Sequence, residues 1–168
     1  MENKLLESVL KVCSILNSHS VEYLEVGGTA VALHGYFRLS HSPSGAVMEK
    51  YDLDFWYKPT YDNYFKLLDA LEELGLDVTE FKNETTPNPK KSFFRFEEEY
   101  FKIDFLPELL GLSRFRSSFE KRSVAEIDGT DVPYISYEDL IKSKLALARE
   151  KDMDDIEQLK LRRNNPEE

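Results

Sequence analysis

Tyr51-Asp52-Leu53-Asp54-Phe55-Trp56-Tyr57 is a run of aromatic and aliphatic residues interrupted twice by aspartate. Such residues suit a pleated strand, and Pro59 followed by Thr60 ends it. Side chains alternate along a strand, so Asp52 and Asp54 leave one face while Leu53 and Phe55 enter the other. Two strand rises put the acidic Cα atoms roughly 6.5–7 Å apart. Like charges at that spacing favour a compensating cation, and hard carboxylate oxygens suit Mg²⁺, singly or as two ions about 3.5–4 Å apart. The same pair also fits the solvent-facing edge of a sheet, and alone it does not choose between the two.

Upstream, Leu5, Leu6, Val9, Leu10, Val12, Cys13 and Leu16 recur at helical spacing, and residues 17–20 break the pattern. Residues 21–26 read as a strand closed by Gly27-Gly28, and a short helix follows from Thr29 to a stop at Gly35. A glycine pair admits a close phosphate, the next helix offers free N–H groups, and Thr29 adds a hydroxyl. A tight turn explains the pair equally well. Residues 38–49 have loop chemistry, with Ser-His-Ser-Pro-Ser-Gly at their centre.

Downstream, Tyr64, Phe65, Leu67, Leu68 and Leu71 form a helical stripe within residues 61–74, capped by Gly75. A strand is expected over 76–81 and a loop over 83–91. Residues 92–96 and 100–106 look like a hairpin, as do 123–127 and 132–135 about Asp128-Gly129. Asp104 is the single acid of Tyr100-Phe101-Lys102-Ile103-Asp104-Phe105-Leu106. It suits a base that also touches a metal, or an ion pair with Lys102 on the same face. Ser136 with Glu138 and Asp139 opens a closing helix carrying Leu140, Ile141, Leu145, Leu147, Met153, Ile156, Leu159 and Leu161.

Composition bounds the rest. The chain has 168 residues, 41% hydrophobic and 32% charged, as a globular domain does. No apolar run approaches the ~20 residues of a membrane span, and the N-terminus lacks a secretory core. One cysteine, Cys13, allows no internal disulfide and points to a reducing cytoplasm and a packing role. A net charge of -10 disfavours an extended nucleic-acid groove but permits a metal–nucleotide site, since a cation reverses the local field. His19, His34 and His41 lack zinc-ligand spacing with Cys13; His34 reads as a packing or backbone-bonded residue. The aromatic cluster of Phe55, Trp56, Tyr57, Phe93, Phe94 and Phe96 reads mostly as core, and no Gly-x-Ser-x-Gly elbow is present.

Together, Val26-Gly27-Gly28-Thr29-Ala30, His34-Gly35, Arg38 and Asp52-Leu53-Asp54-Phe55 resemble the signature of the minimal nucleotidyltransferases of the DNA-polymerase-β-like superfamily, which includes antibiotic-modifying enzymes and abortive-infection toxins. Glu138-Asp139-Leu140-Ile141 with Lys144, then Arg149-Glu150-Lys151-Asp152 with Asp155, is similar to that group's closing helices. The resemblance implies an α+β fold with a small mixed sheet, helices packed on one side and C-terminal helices. It implies a core of about 21–135 and closing helices of about 136–162 in a single domain. It also implies transfer of a nucleoside monophosphate from an NTP to an acceptor hydroxyl, with release of pyrophosphate. Asp52, Asp54 and Asp104 would be the catalytic carboxylates and ligands of Mg²⁺ or Mn²⁺. Gly27, Gly28 and Thr29 would cradle the triphosphate, with Arg38, Lys144 and Arg149 as further nucleotide-binding residues. The acceptor stays open among a small molecule, a protein side chain and an RNA end; residues 39–51, an insertion relative to that group between Arg38 and the aspartate pair, read as an acceptor loop, a lid or a sign of lost activity. The alternative from another class is a non-catalytic binding or antitoxin-like regulatory protein on the same fold.

Overall fold

The computed structural model describes residues 2–35, 51–99 and 101–164. Arg38 and the inserted segment up to residue 50 lie outside them. The first helix, α1 (Glu2–Ser18), buries Leu5, Val9, Val12, Cys13 and Leu16, whose spacing makes one apolar stripe. Strand β1 (Tyr23–Val26) leads directly into α2 (Gly27–Leu33), which begins at the glycine pair rather than at Thr29. Strand β2 spans Tyr51–Tyr57, and α3 (Tyr61–Glu73) starts where the Thr60 hydroxyl accepts the Asn63 N–H. Asn63 is itself buried, and its amide bonds the backbone of Glu22 and Lys58, tying α3 to the ends of β1 and β2.

The strand expected over 76–81 is not there. A short helix, α4 (Thr79–Lys82), takes its place, because the Asp77 carboxylate accepts the Thr79 N–H and turns the chain. The hairpin β3 (Phe94–Glu97) and β4 (Phe101–Leu106) follows, then α5 (Phe115–Glu120), which the hydrophobic pattern does not signal. Strands β5 (Ser123–Ile127) and β6 (Thr130–Tyr134) turn at Asp128-Gly129, with φ of 50° and 80°, the geometry of a two-residue hairpin turn. The closing helix is two helices, α6 (Tyr137–Leu147) and α7 (Glu150–Asn164), separated at left-handed Ala148. That break resets the helical faces, so Leu145, Leu147, Met153 and Leu161 are exposed and only Leu140, Ile156 and Leu159 join the core. Phe65, expected in the α3 stripe, is likewise exposed.

The six strands form one mixed sheet in the order β3-β4-β2-β1-β6-β5. β2 pairs with β4 and β1 with β6 in parallel, while the remaining pairs are antiparallel. One face presents Tyr23, Leu53, Phe55, Tyr57, Ile103 and Phe105 to α1 and α3. On the other, Leu24, Val26 and Trp56 pack against residues of α2, α5, α6 and α7. The expected mixed α+β architecture is therefore the observed one, and the C-terminal helices lie across the sheet from α1 and α3. Glu25 is the exception in the first core: a fully buried carboxyl whose Oε1 accepts the Cys13 thiol at 3.8 Å. Burial, then the charge of Asp54, pushes its pKa well above the usual range.

Candidate active site

The polar part of the second sheet face is built by register. Asp54 on β2 lies directly opposite Asp104 on β4, and Asp52 lies opposite Lys102. Because directly opposed residues on paired strands share a face, as do residues two apart along one strand, all three carboxylates emerge together, with neighbouring strands about 4.8 Å apart. On the other side Asp54 is opposite Val26, the last residue before the glycine pair.

Gly27 explains why that pair is glycine. Its φ is +64°, and a Cβ there would sit 2.3 Å from Oδ2 of Asp54. Any side chain at 27 would drive the aspartate off its position. Thr29 is buried and its hydroxyl donates to the Asp52 carbonyl at 3.5 Å, a long bond that joins α2 to β2. Gly27, Gly28, Thr29, Asp52, Asp54 and Asp104 all line one open cavity of about 730 Å³.

Electrostatics single out Asp54. Burial, then the charges of Asp104 and Asp52, push its pKa from 3.8 up to about 7, with Lys144 and Lys151 pulling the other way. An anionic Asp54 is thus unfavourable until a cation arrives. Asp104 is compensated differently: Arg95, opposite it in the β3–β4 ladder, donates Nε and Nη2 to its two oxygens at 2.9 and 3.0 Å. The ion-pair partner is Arg95, not Lys102.

The C-terminal cations Lys144 and Arg149 both line the cavity, and both are engaged by carboxylates. Lys144 lines the cavity but is buried, and its Nζ donates to Asp152 at 3.2 Å and to Asp155 at 3.0 Å. Arg149 forks onto Asp152, which also accepts the Arg149 backbone N–H. Burial raises the Asp152 pKa, but these bonds outweigh it and hold the carboxyl below the usual range. Lys151, absent from the candidates of sequence reasoning, lines the cavity as an exposed cation with no ion pair among the described residues. Its place at the second position of α7 depends on the Ala148 break, for which the sequence carries no glycine or proline signal.

A divalent cation suits the chemistry of the three carboxylates, because hard oxygen donors bind Mg²⁺ and Mn²⁺ and Asp54 makes no ion pair among the described residues. In their present rotamers no group of three or more His, Cys, Asp or Glu side chains among the described residues could hold a metal ion. Both oxygens of Asp104 are turned to Arg95. No helix among the described residues is long and apolar enough to cross a membrane.

No protein-family model matches the chain, and no curated protein matches its sequence. Solved structures do. The lincosamide antibiotic adenylyltransferase LnuA, in its lincomycin-bound crystal structure, is similar with a TM-score of 0.58 and 21% identity, over 95% of this chain and 96% of that one. The antibiotic-resistance factor ANT(2'')-Ia gives 0.58 and 16%, over 95% and 84%. A candidate nucleotidyltransferase of Thermotoga maritima gives 0.59 and 17%, over 94% and 93%. At these identities what is shared is the path of the backbone, and over almost the whole chain that path is the nucleotidyltransferase fold of the minimal type.

Proposed function

We propose that this chain is a divalent-metal-dependent nucleotidyltransferase that moves a nucleoside monophosphate from an NTP to an acceptor hydroxyl. The observation that carries the reading is the convergence of Asp52, Asp54 and Asp104, from two paired strands, on a cavity walled by Gly27, Gly28 and Thr29. In the reaction, the acceptor oxygen forms a bond to the α-phosphorus, the bond to the bridging oxygen breaks, and pyrophosphate leaves. A cation held by Asp52, Asp54 and Asp104 would supply charge for the phosphate oxygens and make the acceptor hydroxyl easier to deprotonate. Asp104 takes the hydroxyl proton. Gly27 keeps Asp54 in place and lets phosphate approach the backbone, with Gly28 and Thr29 beside it. Lys144 and Arg149 act indirectly, by holding Asp152 and the start of α7, while Lys151 meets the phosphates. LnuA is a lincosamide antibiotic adenylyltransferase, which suggests a small-molecule acceptor here, but the cavity does not select one. A cytoplasmic setting fits the free, buried Cys13 thiol.

The test is pyrophosphate release with labelled NTP, Mg²⁺ and cell extract as the source of acceptor. Asp54→Asn is expected to lower the rate on the order of 100-fold or more, as loss of a group that stabilises transition-state charge does. An unchanged rate would defeat the assignment. One observation favours the second reading, a non-catalytic binding protein on this fold: Arg95 occupies both oxygens of Asp104. That reading wins if the wild-type chain labels nothing and releases no pyrophosphate with any of the common NTPs, under Mg²⁺ or Mn²⁺.

A further inference from the structure

Arg95 has no part in the reaction just described, yet it holds both oxygens of one of the three carboxylates. Its guanidinium meets Asp104 fork to fork, at 2.9 and 3.0 Å, which occupies both carboxylate oxygens in one discrete geometry. Two features fix that geometry. Arg95 and Asp104 are opposed in the antiparallel ladder, and the guanidinium carbon lies 5.2 Å from the centre of the Phe93 ring. The Asp104 side chain is 17% exposed and that of Arg95 64%, so the clamp reaches in from solvent and can swing back out without disturbing the core.

We propose that Arg95 is the counter-ion that withholds Asp104 from a divalent cation in the nucleotide-free protein, so that the cation and the guanidinium compete for the same carboxylate. The proposal rests on the metal-site reading above. It accounts for two facts at once: three carboxylates share a cavity, and no three of the described side chains form a ready metal cage. An exposed ion pair is weak, so a cation already anchored by Asp52 and Asp54 can displace it. Arg95 is then a positioning residue, because it acts through Asp104 and sets the order in which the site is completed.

Mn²⁺ titration of the nucleotide-free full chain, with free Mn²⁺ read by electron paramagnetic resonance, tests this without any turnover. Arg95→Gln is expected to tighten Mn²⁺ binding by about two- to fivefold, the scale of an exposed ion pair. Simple removal of a positive charge is controlled by Lys102→Gln, which lies on the same wall but opposite Asp52, with no ion pair among the described residues; its gain is expected to be smaller. In an Asp104→Asn background the advantage of Arg95→Gln should vanish, and Arg95→Lys, which keeps the charge without the fork, should fall between. The proposal is overturned if Arg95→Gln gains no more than Lys102→Gln, or if its gain survives in Asp104→Asn. Should Asp54→Asn leave wild-type Mn²⁺ binding unchanged, the metal site itself falls and the clamp with it. If Asp54→Asn weakens binding and Arg95→Gln behaves like Lys102→Gln, only the clamp falls.

Discussion

Asp54 carries a measurable cost of its own in the absence of metal. Its pKa is raised by burial and by two neighbouring carboxylates to about 7, so the folded state retains a proton that the unfolded chain has lost above pH 4. Stability therefore falls as pH rises from about 4 to about 7, and the full penalty is present above that. Asp54→Asn removes the titrating group. In EDTA, urea midpoints of the variant and the wild type should agree near pH 4 and diverge towards pH 8, where the variant is more stable by about 1–4 kcal/mol. Equal midpoints at pH 8 would mean that Asp54 is not destabilised by its neighbours. The sequence pattern places Asp52 and Asp54 on one strand face, but the unequal burdens on them come from Asp104 across the ladder. Arg95 escaped for the same reason: alternation says which face a residue takes, while the identity of its cross-strand partner depends on a register that no single strand encodes.

Elements were legible where a local signal and the tertiary environment agree. Strand β2 matches its expected bounds because alternation, aromatic content and the following proline all point the same way. The β5–β6 hairpin follows from Asp128-Gly129, whose positive φ values only a few residue types accept readily. The residues of 76–81 have strand-like composition, but Asp77 bonding to its own backbone decided for helix. The α6–α7 junction was least legible, since its break falls on an alanine. Once broken, the helices fold Lys144 against Asp152 and Asp155, all three buried, with Arg149 closing the cluster. Taking one partner from a buried ion cluster leaves the others uncompensated, which costs about 3–5 kcal/mol. Lys144→Met should lower the nucleotide-free unfolding free energy by that amount, measured by urea denaturation. A Lys144 held ready for phosphate and idle otherwise would leave the nucleotide-free protein unaffected.

Across the whole molecule, charge is distributed against its net sign. The chain carries -10, yet Arg95, Lys102, Lys144, Arg149 and Lys151 all line the cavity that holds Asp52, Asp54 and Asp104. Two of these cations come from α6 and α7, one from the junction between those helices, and two from β3 and β4. An acidic exterior with a mixed-charge cavity repels polyanions at long range while accepting a compact anion whose charge a metal offsets. Within that set the cations divide by what they already hold. Lys144 and Arg149 are bound to carboxylates, and Arg95 to Asp104; Lys102 and Lys151 line the cavity without an ion pair among the described residues, and of these two Lys151 is the one whose charge acts on Asp54. Lys151 is accordingly the cation on which nucleotide should draw. In thermal-shift measurements with Mg²⁺ and millimolar NTP, Lys151→Gln should keep the nucleotide-free Tm and lose most of the nucleotide-dependent rise, because only a ligand that binds the folded state contributes to that rise. Lys151→Arg should restore it. A full rise in Lys151→Gln would return the phosphate role to the carboxylate-bound pair and require the Lys144 cluster to open on binding.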